Sequence, residues 1–441
     1  MRSAWRTPQT RFAAEDSLTV PGFTVLGVLA VGAVIGLWAW RSFSDPAGYD
    51  FSQAYYSGEV AWSTGRPETW FSWTGTPLLA AAMAVTGRLW DETTANRILT
   101  GVNIALVLSV IGVVVRRLRN TLSPLWLLIV AVGIASFGPI LSTVWWKQFN
   151  IIVLFLALAG FEALRRDRFL LAGALIGFSV GLKPLVFLLP LVLLARRSTR
   201  LTGIWGVVFA VGLNIGAQGL YAIHAHAAAA FDPLSPARNF LKKSRPGSGY
   251  YLACGHSNFS SQALLCRTFG AKHWTLLTIV VWLALVCLAV WVVRALHGYD
   301  TASWECFAFT CVFSTMASSI DWSHYQVMLA PLIVLLVVRF STVRTHALYW
   351  FGLLVAFVLA SLTWSPYGAI TDALQLHFRS TYQTNPHPLV ANIAQYSQYI
   401  LIVTATLWYR RHGRTVLDQS GSRRVGSQGD SLRPLEAPSQ R

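Results

Sequence analysis

One carboxylate stands where the first apolar run of the chain ends, in Gly48-Tyr49-Asp50-Phe51-Ser52-Gln53-Ala54-Tyr55-Tyr56. Its surroundings are aromatic and weakly charged, unlike the basic loops that hold most other acids of this chain. A carboxylate at a membrane edge is costly to desolvate, and such groups are kept more often for chemistry than for solubility. The chemistry open to Asp50 is proton transfer. The plainer alternative is that it caps a short helix from Phe51 to about Val60.

Two lysines occupy comparable places. Lys147 lies in the short turn Trp145-Trp146-Lys147-Gln148-Phe149-Asn150. It could bind a ligand phosphate, but snorkelling to lipid headgroups is the reading favoured for it. Lys183, in Leu182-Lys183-Pro184-Leu185, sits at a helix break at membrane depth. It could hold the phosphate of a lipid carrier or, equally, snorkel. A third cluster is Asp321-Trp322-Ser323-His324-Tyr325. An acid, an indole, an imidazole and a phenol within five residues favour a site over a polar turn.

These residues must be positioned by membrane helices. The chain has 441 residues, 54% hydrophobic and only 12% charged, about half the charged fraction of a soluble protein. It reads as an all-α polytopic membrane protein. Apolar runs predict about 12 spans, near 20–40, 94–115, 123–142, 150–164, 169–182, 184–195, 203–222, 275–296, 303–319, 324–339, 346–362 and 391–409. Several fall short of the ~20 residues of a straight crossing. The pair broken at Lys183-Pro184 could instead be one kinked or re-entrant element.

The net charge of +17 divides by side and does not point to nucleic acid. With the N-terminus inside, short inner turns carry Arg116, Arg117, Arg119, Arg165, Arg166, Arg168, Arg196, Arg197 and Arg200, as the positive-inside rule requires. The long loops 41–93, 223–274 and 363–390 then face outward, and chemistry is expected there. Residues 1–19 form a cytoplasmic segment before an uncleaved first span. The membrane domain is 20–410, and the polar tail 411–441 is expected to be disordered in the cytosol. The short apolar stretch 77–90, opened by Pro77, predicts an interfacial helix.

Trp62, Trp70 and Trp73 follow Asp50 and could stack on a sugar ring or form an interfacial belt. In the loop 223–274, Arg238, Lys242, Lys243 and Arg245 could hold anionic headgroups or a diphosphate, or be solvated. Cys254 and Cys266 bracket His256, Asn258 and Gln262 in an oxidising setting, which predicts a disulfide. Cys287, Cys306 and Cys311 lie within spans and read as packing residues. The Cys and His form no zinc pattern, and no metal site or cofactor is expected. The sequon Asn258-Phe259-Ser260 is discounted, because a disulfide-bracketed loop leaves little room for a glycan.

With these residues in place, the chain resembles the polytopic GT-C glycosyltransferases. It is most similar to the bacterial branch that takes sugars from polyprenyl phosphates to build envelope arabinans and mannans. The resemblance is carried by Asp50-Phe51 with Tyr55, by Leu182-Lys183-Pro184-Leu185, by Asn258-Phe259-Ser260-Ser261, and by Tyr325 with Met328-Leu329 and Pro331. It spans most of 20–410. It implies a GT-C bundle with outward loops and short interfacial helices, with Asp50 as general base and Lys183 near the donor phosphate. Trp322, His324 and Tyr325 would line the sugar pocket, with Tyr55, Lys147, His256, Asn258 and Asp321 among the substrate-binding candidates. The run from Asn258 to Gln262 resembles the arabinofuranosyl members, whereas Trp322-Ser323-His324 resembles the mannosyl ones.

The expectation is therefore a multi-pass protein of the bacterial plasma membrane, active on the outer face, with arabinofuranose favoured over mannose. Its partners would be a polyprenyl-phosphate sugar, an envelope glycan or glycolipid acceptor, and membrane lipid. A glycosyl phosphate is already activated, so one base and one cation near the phosphate suffice. A secondary transporter, a lipid-sugar flippase and a structural membrane protein are the rivals. No internal repeat speaks for the transporter, but a flippase would also bind polyprenyl phosphate.

Overall fold

The computed structural model describes residues 20–44, 49–66, 75–226, 231–243, 258, 260–300, 302–318, 321, 323–362 and 393–429. Among them every ordered element is a helix. The first is α1 (Val20–Ser44), followed by α2 (Tyr49–Thr64), α3 (Pro77–Leu89), α4 (Glu92–Leu118), α5 (Pro124–Ser136) and α6 (Gly138–Trp145). Next come α7 (Asn150–Leu164), α8 (Phe169–Leu182), a 3-10 turn (Pro184–Val186), α9 (Leu188–Leu194) and α10 (Arg200–His224). The next two helices are α11 (Ser235–Lys243) and α12 (Ser261–Phe269). The chain ends with α13 (Trp274–Ala295), α14 (Trp304–Ala317), a 3-10 segment (Ser323–Leu329), α15 (Ala330–Thr342), α16 (Ala347–Leu362) and α17 (Ile393–Gly429).

Every apolar run of the sequence is thus a helix, but the expected span count is only partly met. Six of the described helical segments are long and apolar enough to cross a membrane: Val25–Ser44, Glu92–Leu118, Pro124–Trp145, Arg200–His224, Trp274–Ala295 and His324–Thr342. Four more apolar helices, α3, α7, α8 and α16, are shorter. Fourteen residues of α8 rise only about 21 Å, less than the hydrocarbon core. The protein is a multi-pass membrane protein, and several of its predicted spans form helices below the length of a straight crossing.

The tail also departs from expectation. α17 continues to Gly429, so the stretch 412–429, expected to be disordered, is helical, while 430–441 lie outside the described residues. An apolar helix already nucleated extends at low cost into a following polar segment.

The break at Lys183-Pro184 is a hairpin tip. Gly173 meets Thr202 and Trp205, Gly177 meets Gly206 and Ala210, and Gly181 meets Asn214, so α8 and α10 run parallel. α9 runs against α10, with Pro190 and Leu194 on Gly203, and therefore antiparallel to α8. A residue before proline is pushed to extended backbone, and Lys183 has φ −157° and ψ 123°. The carbonyls freed by the break find side-chain donors, as membrane depth demands. Thr76 Oγ1 donates to Leu182 O at 2.8 Å and Asn214 Nδ2 to Gly181 O at 3.1 Å.

The hairpin sits close on α10 through a small-residue stripe of the kind that packs membrane helices. A Cβ at Gly173 would lie 2.4 Å from the Trp205 Cβ, and one at Gly177 would lie 2.6 Å from Gly206 O. Gly177→Val is therefore expected to destabilise the protein by about 1–3 kcal/mol or more through overpacking. Thermal unfolding in detergent should show a lower midpoint than wild type; an unchanged midpoint would mean that the two helices are not closely apposed.

Candidate active site

Asp50 lies in the first turn of α2, where the helix dipole favours a carboxylate. Its side chain keeps 21% of its surface, and one carboxylate oxygen is 4.0 Å from His324 Nε2. Burial pushes the carboxyl up to about 6, against the Lys183 charge and a Gln148 hydrogen bond, which both pull it down. The result is a carboxyl group that changes its protonation near neutral pH, the range in which proton transfer by a side chain is most effective.

Lys183 reaches the same place from the hairpin tip. Its Nζ donates to Gln148 Oε1 at 2.5 Å and to Asn150 Oδ1 at 2.9 Å, and lies 4.3 Å from the centre of the Tyr325 ring. An ammonium has three N–H groups, so the two amides leave one for a ligand oxygen. Gln148 touches both Asp50 and Lys183 and sets their separation.

The turn after α6 makes this possible. Lys147 adopts the left-handed conformation (φ 50°), and Gln148 N donates to Thr143 O at 2.9 Å, closing the helix end. Lys147 itself is 1% exposed, its Nζ 5.8 Å from the centre of the Trp145 ring. It is thus buried within the protein and does not snorkel, and the amides after it hold Lys183. Asn103 Nδ2 donates to Gln148 O at 2.9 Å, and Asn150 Nδ2 donates to His324 O at 2.8 Å. Asn150 thus ties Lys183 to the 3-10 segment. His324 and Tyr325 pack edge to face at 4.9 Å.

Asp321 is fully buried beside this group. Its N–H donates to Asn258 Oδ1 at 2.9 Å, and its carboxylate accepts from Gln398 Nε2 of α17. Burial pushes its carboxyl up to about 7, while Gln398 and Gln326 hydrogen bonds pull it down. Asn258 Oδ1 also accepts from Ser260 N at 3.0 Å, and Asn258 O accepts from Arg267 Nη2 at 2.9 Å. Asn258 is therefore a brace between its own loop and Asp321. At 1% exposure it offers a glycan no attachment point.

Tyr55 falls elsewhere. Five residues along a helix turn the side chain by about 500°, or roughly 140° from Asp50, and its hydroxyl donates to Trp90 O at 3.0 Å. Trp62 packs tilted against His224 with ring centres 3.9 Å apart, and the Arg88 guanidinium lies 4.3 Å from the centre of the Trp62 ring. Arg238 is paired with Asp232. Cys266 is disulfide-bonded; its expected partner Cys254, together with His256, Trp322, Trp70 and Trp73, lies outside the described residues. Gln148, Asn150 and Gln398 are the site-forming residues that sequence reasoning passed over. Their one signal was an amide in an otherwise apolar turn or span.

Among the described residues no three His, Cys, Asp or Glu side chains converge as metal ligands. An almost wholly apolar cavity of about 400 Å³ runs from Ile140, Ile151 and Val327, beside the site, to Arg117 and Glu162 at the arginine-rich end.

No curated protein and no solved structure matches the chain. The family profile of glycosyltransferase family 87 matches residues 73–319. That match takes in Gln148, Asn150, Lys183 and Asn258, whereas Asp50, Asp321 and His324 flank it. Matched over more than half of its length, this polytopic helical membrane protein belongs to glycosyltransferase family 87, a family of the GT-C type.

Proposed function

We propose that this glycosyltransferase moves a sugar from a polyprenyl-phosphate donor to an envelope glycan or glycolipid on the outer face of the membrane. The observation that carries the reading is the joining of Asp50 and Lys183 through Gln148, because a base and a phosphate-binding cation are the two groups the reaction needs. The acceptor hydroxyl oxygen attacks the anomeric carbon, and its proton passes to Asp50. The bond from that carbon to the phosphate oxygen breaks, and the electron pair leaves with the phosphate. Lys183 meets the charge that grows there with its remaining N–H. The apolar cavity beside the site suits part of the isoprenoid tail.

The outer-face assignment rests on charge. The site end holds Lys183 and Lys147 in short turns, whereas Arg116, Arg117, Arg165, Arg166, Arg196 and Arg197 crowd the other end. Arabinofuranose is the preferred donor sugar, supported by the resemblance of Asn258 to Gln262 to the arabinofuranosyl members. Purified protein in lipid, offered decaprenyl-phosphoryl-arabinofuranose and polyprenyl-phosphoryl-mannose separately with short envelope-type acceptors, tests this. Transfer of arabinofuranose supports the reading, transfer of mannose alone replaces the sugar, and movement of donor between leaflets without transfer would favour a flippase.

A base held near 6 sets the pH dependence. The rate should plateau above about 7 and fall about tenfold per pH unit below 6, as Asp50 takes up its proton. A flat profile from pH 5 to 8 would remove Asp50 from the proton transfer.

A further inference from the structure

A second cavity lies at the opposite end of the bundle from Asp50. α15 and the 3-10 segment before it lead from His324, at the site, to Arg339, which pairs with Glu305 and lies by Tyr409. Six residues of 3-10 helix and nine of α-helix separate the two ends by about 25 Å. At this inner end a cavity of about 350 Å³ opens between the last turn of α13, the turn after it and α17. It is lined by Arg294, His297, Tyr299, Tyr409 and Arg410.

No carboxylate is among its lining residues. The acids of the adjoining turn and helix are already engaged: Asp300 with Arg196 at 3.8 Å, and Glu305 with Arg339. Arg294 and Arg410 are exposed and free to turn toward an anion. The tyrosine rings give the cavity a firm back wall, since Tyr299 and Tyr409 pack edge to face at 5.6 Å and both are buried. Tyr299 is also tied to α17, its hydroxyl donating to Gly413 O at 3.4 Å.

What leads to the cavity is apolar. On α13, Val286, Val290 and Val293 are exposed, and on α17, Val403 and Leu407 are exposed. These faces would lie against acyl chains, so they converge from the hydrocarbon on two arginines at the headgroup level. We propose that this cavity binds the phosphodiester headgroup of an anionic phospholipid from the inner leaflet, with its acyl chains along α13 and α17. Arg294 and Arg410 hold the phosphate, and the site is separate from the transfer chemistry.

The test is native mass spectrometry of the full-length protein released from vesicles of equal phosphatidylglycerol and phosphatidylcholine. Wild type should retain phosphatidylglycerol selectively. Arg294→Ala with Arg410→Ala should lower that preference on the order of thirtyfold, from two surface arginines. Arg116→Ala with Arg119→Ala, two exposed arginines at the same end but outside the cavity, should leave it intact. Should the first pair fail to fold, Arg294→Gln with Arg410→Gln carries the same comparison. Equal retention by wild type and the cavity variant would overturn the proposal, as would an equal loss in the control pair, which would signal general surface attraction. Displacement of the lipid by millimolar inorganic phosphate would also overturn it, because the cavity would then read free phosphate and not a lipid.

Discussion

Asp50→Asn is expected to lower transfer by about 10²- to 10⁴-fold, the usual contribution of a general base, and to leave the fold intact. The amide has the shape of the acid but cannot accept the acceptor's proton. Folding should survive for a reason visible in the carboxyl itself. Its folded-state pKa of about 6 exceeds the ordinary 3.8, so the folded protein binds this proton more tightly than the unfolded chain does. Stability therefore falls as pH rises from about 4 to about 6 and stays lower above. Removing the charge at neutral pH should cost nothing and raise the thermal midpoint slightly. Transfer assays and thermal unfolding on the same preparation check both halves. An Asn variant with wild-type activity would move the base elsewhere, and Asp321 would be examined next.

Lys183→Met is expected to cost about 10²- to 10³-fold in the rate of transfer, as loss of one preorganised group that meets developing charge does elsewhere. The variant also strips Gln148 and Asn150 of their shared donor. A buried acceptor left without its partner costs about 1–3 kcal/mol, so a loss of activity alone would be ambiguous. The acid limb of the pH profile separates the two roles. The Lys183 charge holds the Asp50 carboxyl down, so without it the limb should move above 6. A limb that stays in place while activity falls would make Lys183 a packing residue of the hairpin tip.

The helices were legible because membrane helices announce themselves as apolar runs, and the Lys183-Pro184 break because proline dictates its own backbone. Asp50 stood out as a carboxylate in a setting that should not hold one. What could not be read was which way a turn would face. Lys147 drew attention by its charge, yet a left-handed backbone turns it into the protein and leaves Gln148 and Asn150 to cage Lys183. Asn258 matched a motif, but its oxygen serves Asp321 N and Ser260 N, a brace between segments distant in the chain. Tyr55 was grouped with Asp50 by the family resemblance, whereas helical geometry puts it on another face and its hydroxyl on Trp90. The span count is met only in part because α7, α8 and α16 are apolar yet shorter than a straight crossing.

The measurement that tests the central claim most directly offers the purified protein, in lipid vesicles, one sugar on two carriers. One is the polyprenyl phosphate and the other a nucleoside diphosphate, each with the same short acceptor. The Asp50 carboxylate, a caged ammonium and an apolar cavity beside them predict transfer from the lipid phosphate alone. Transfer from the nucleotide sugar would contradict the account, and so would a lipid-linked donor that crosses the bilayer while the acceptor gains no sugar.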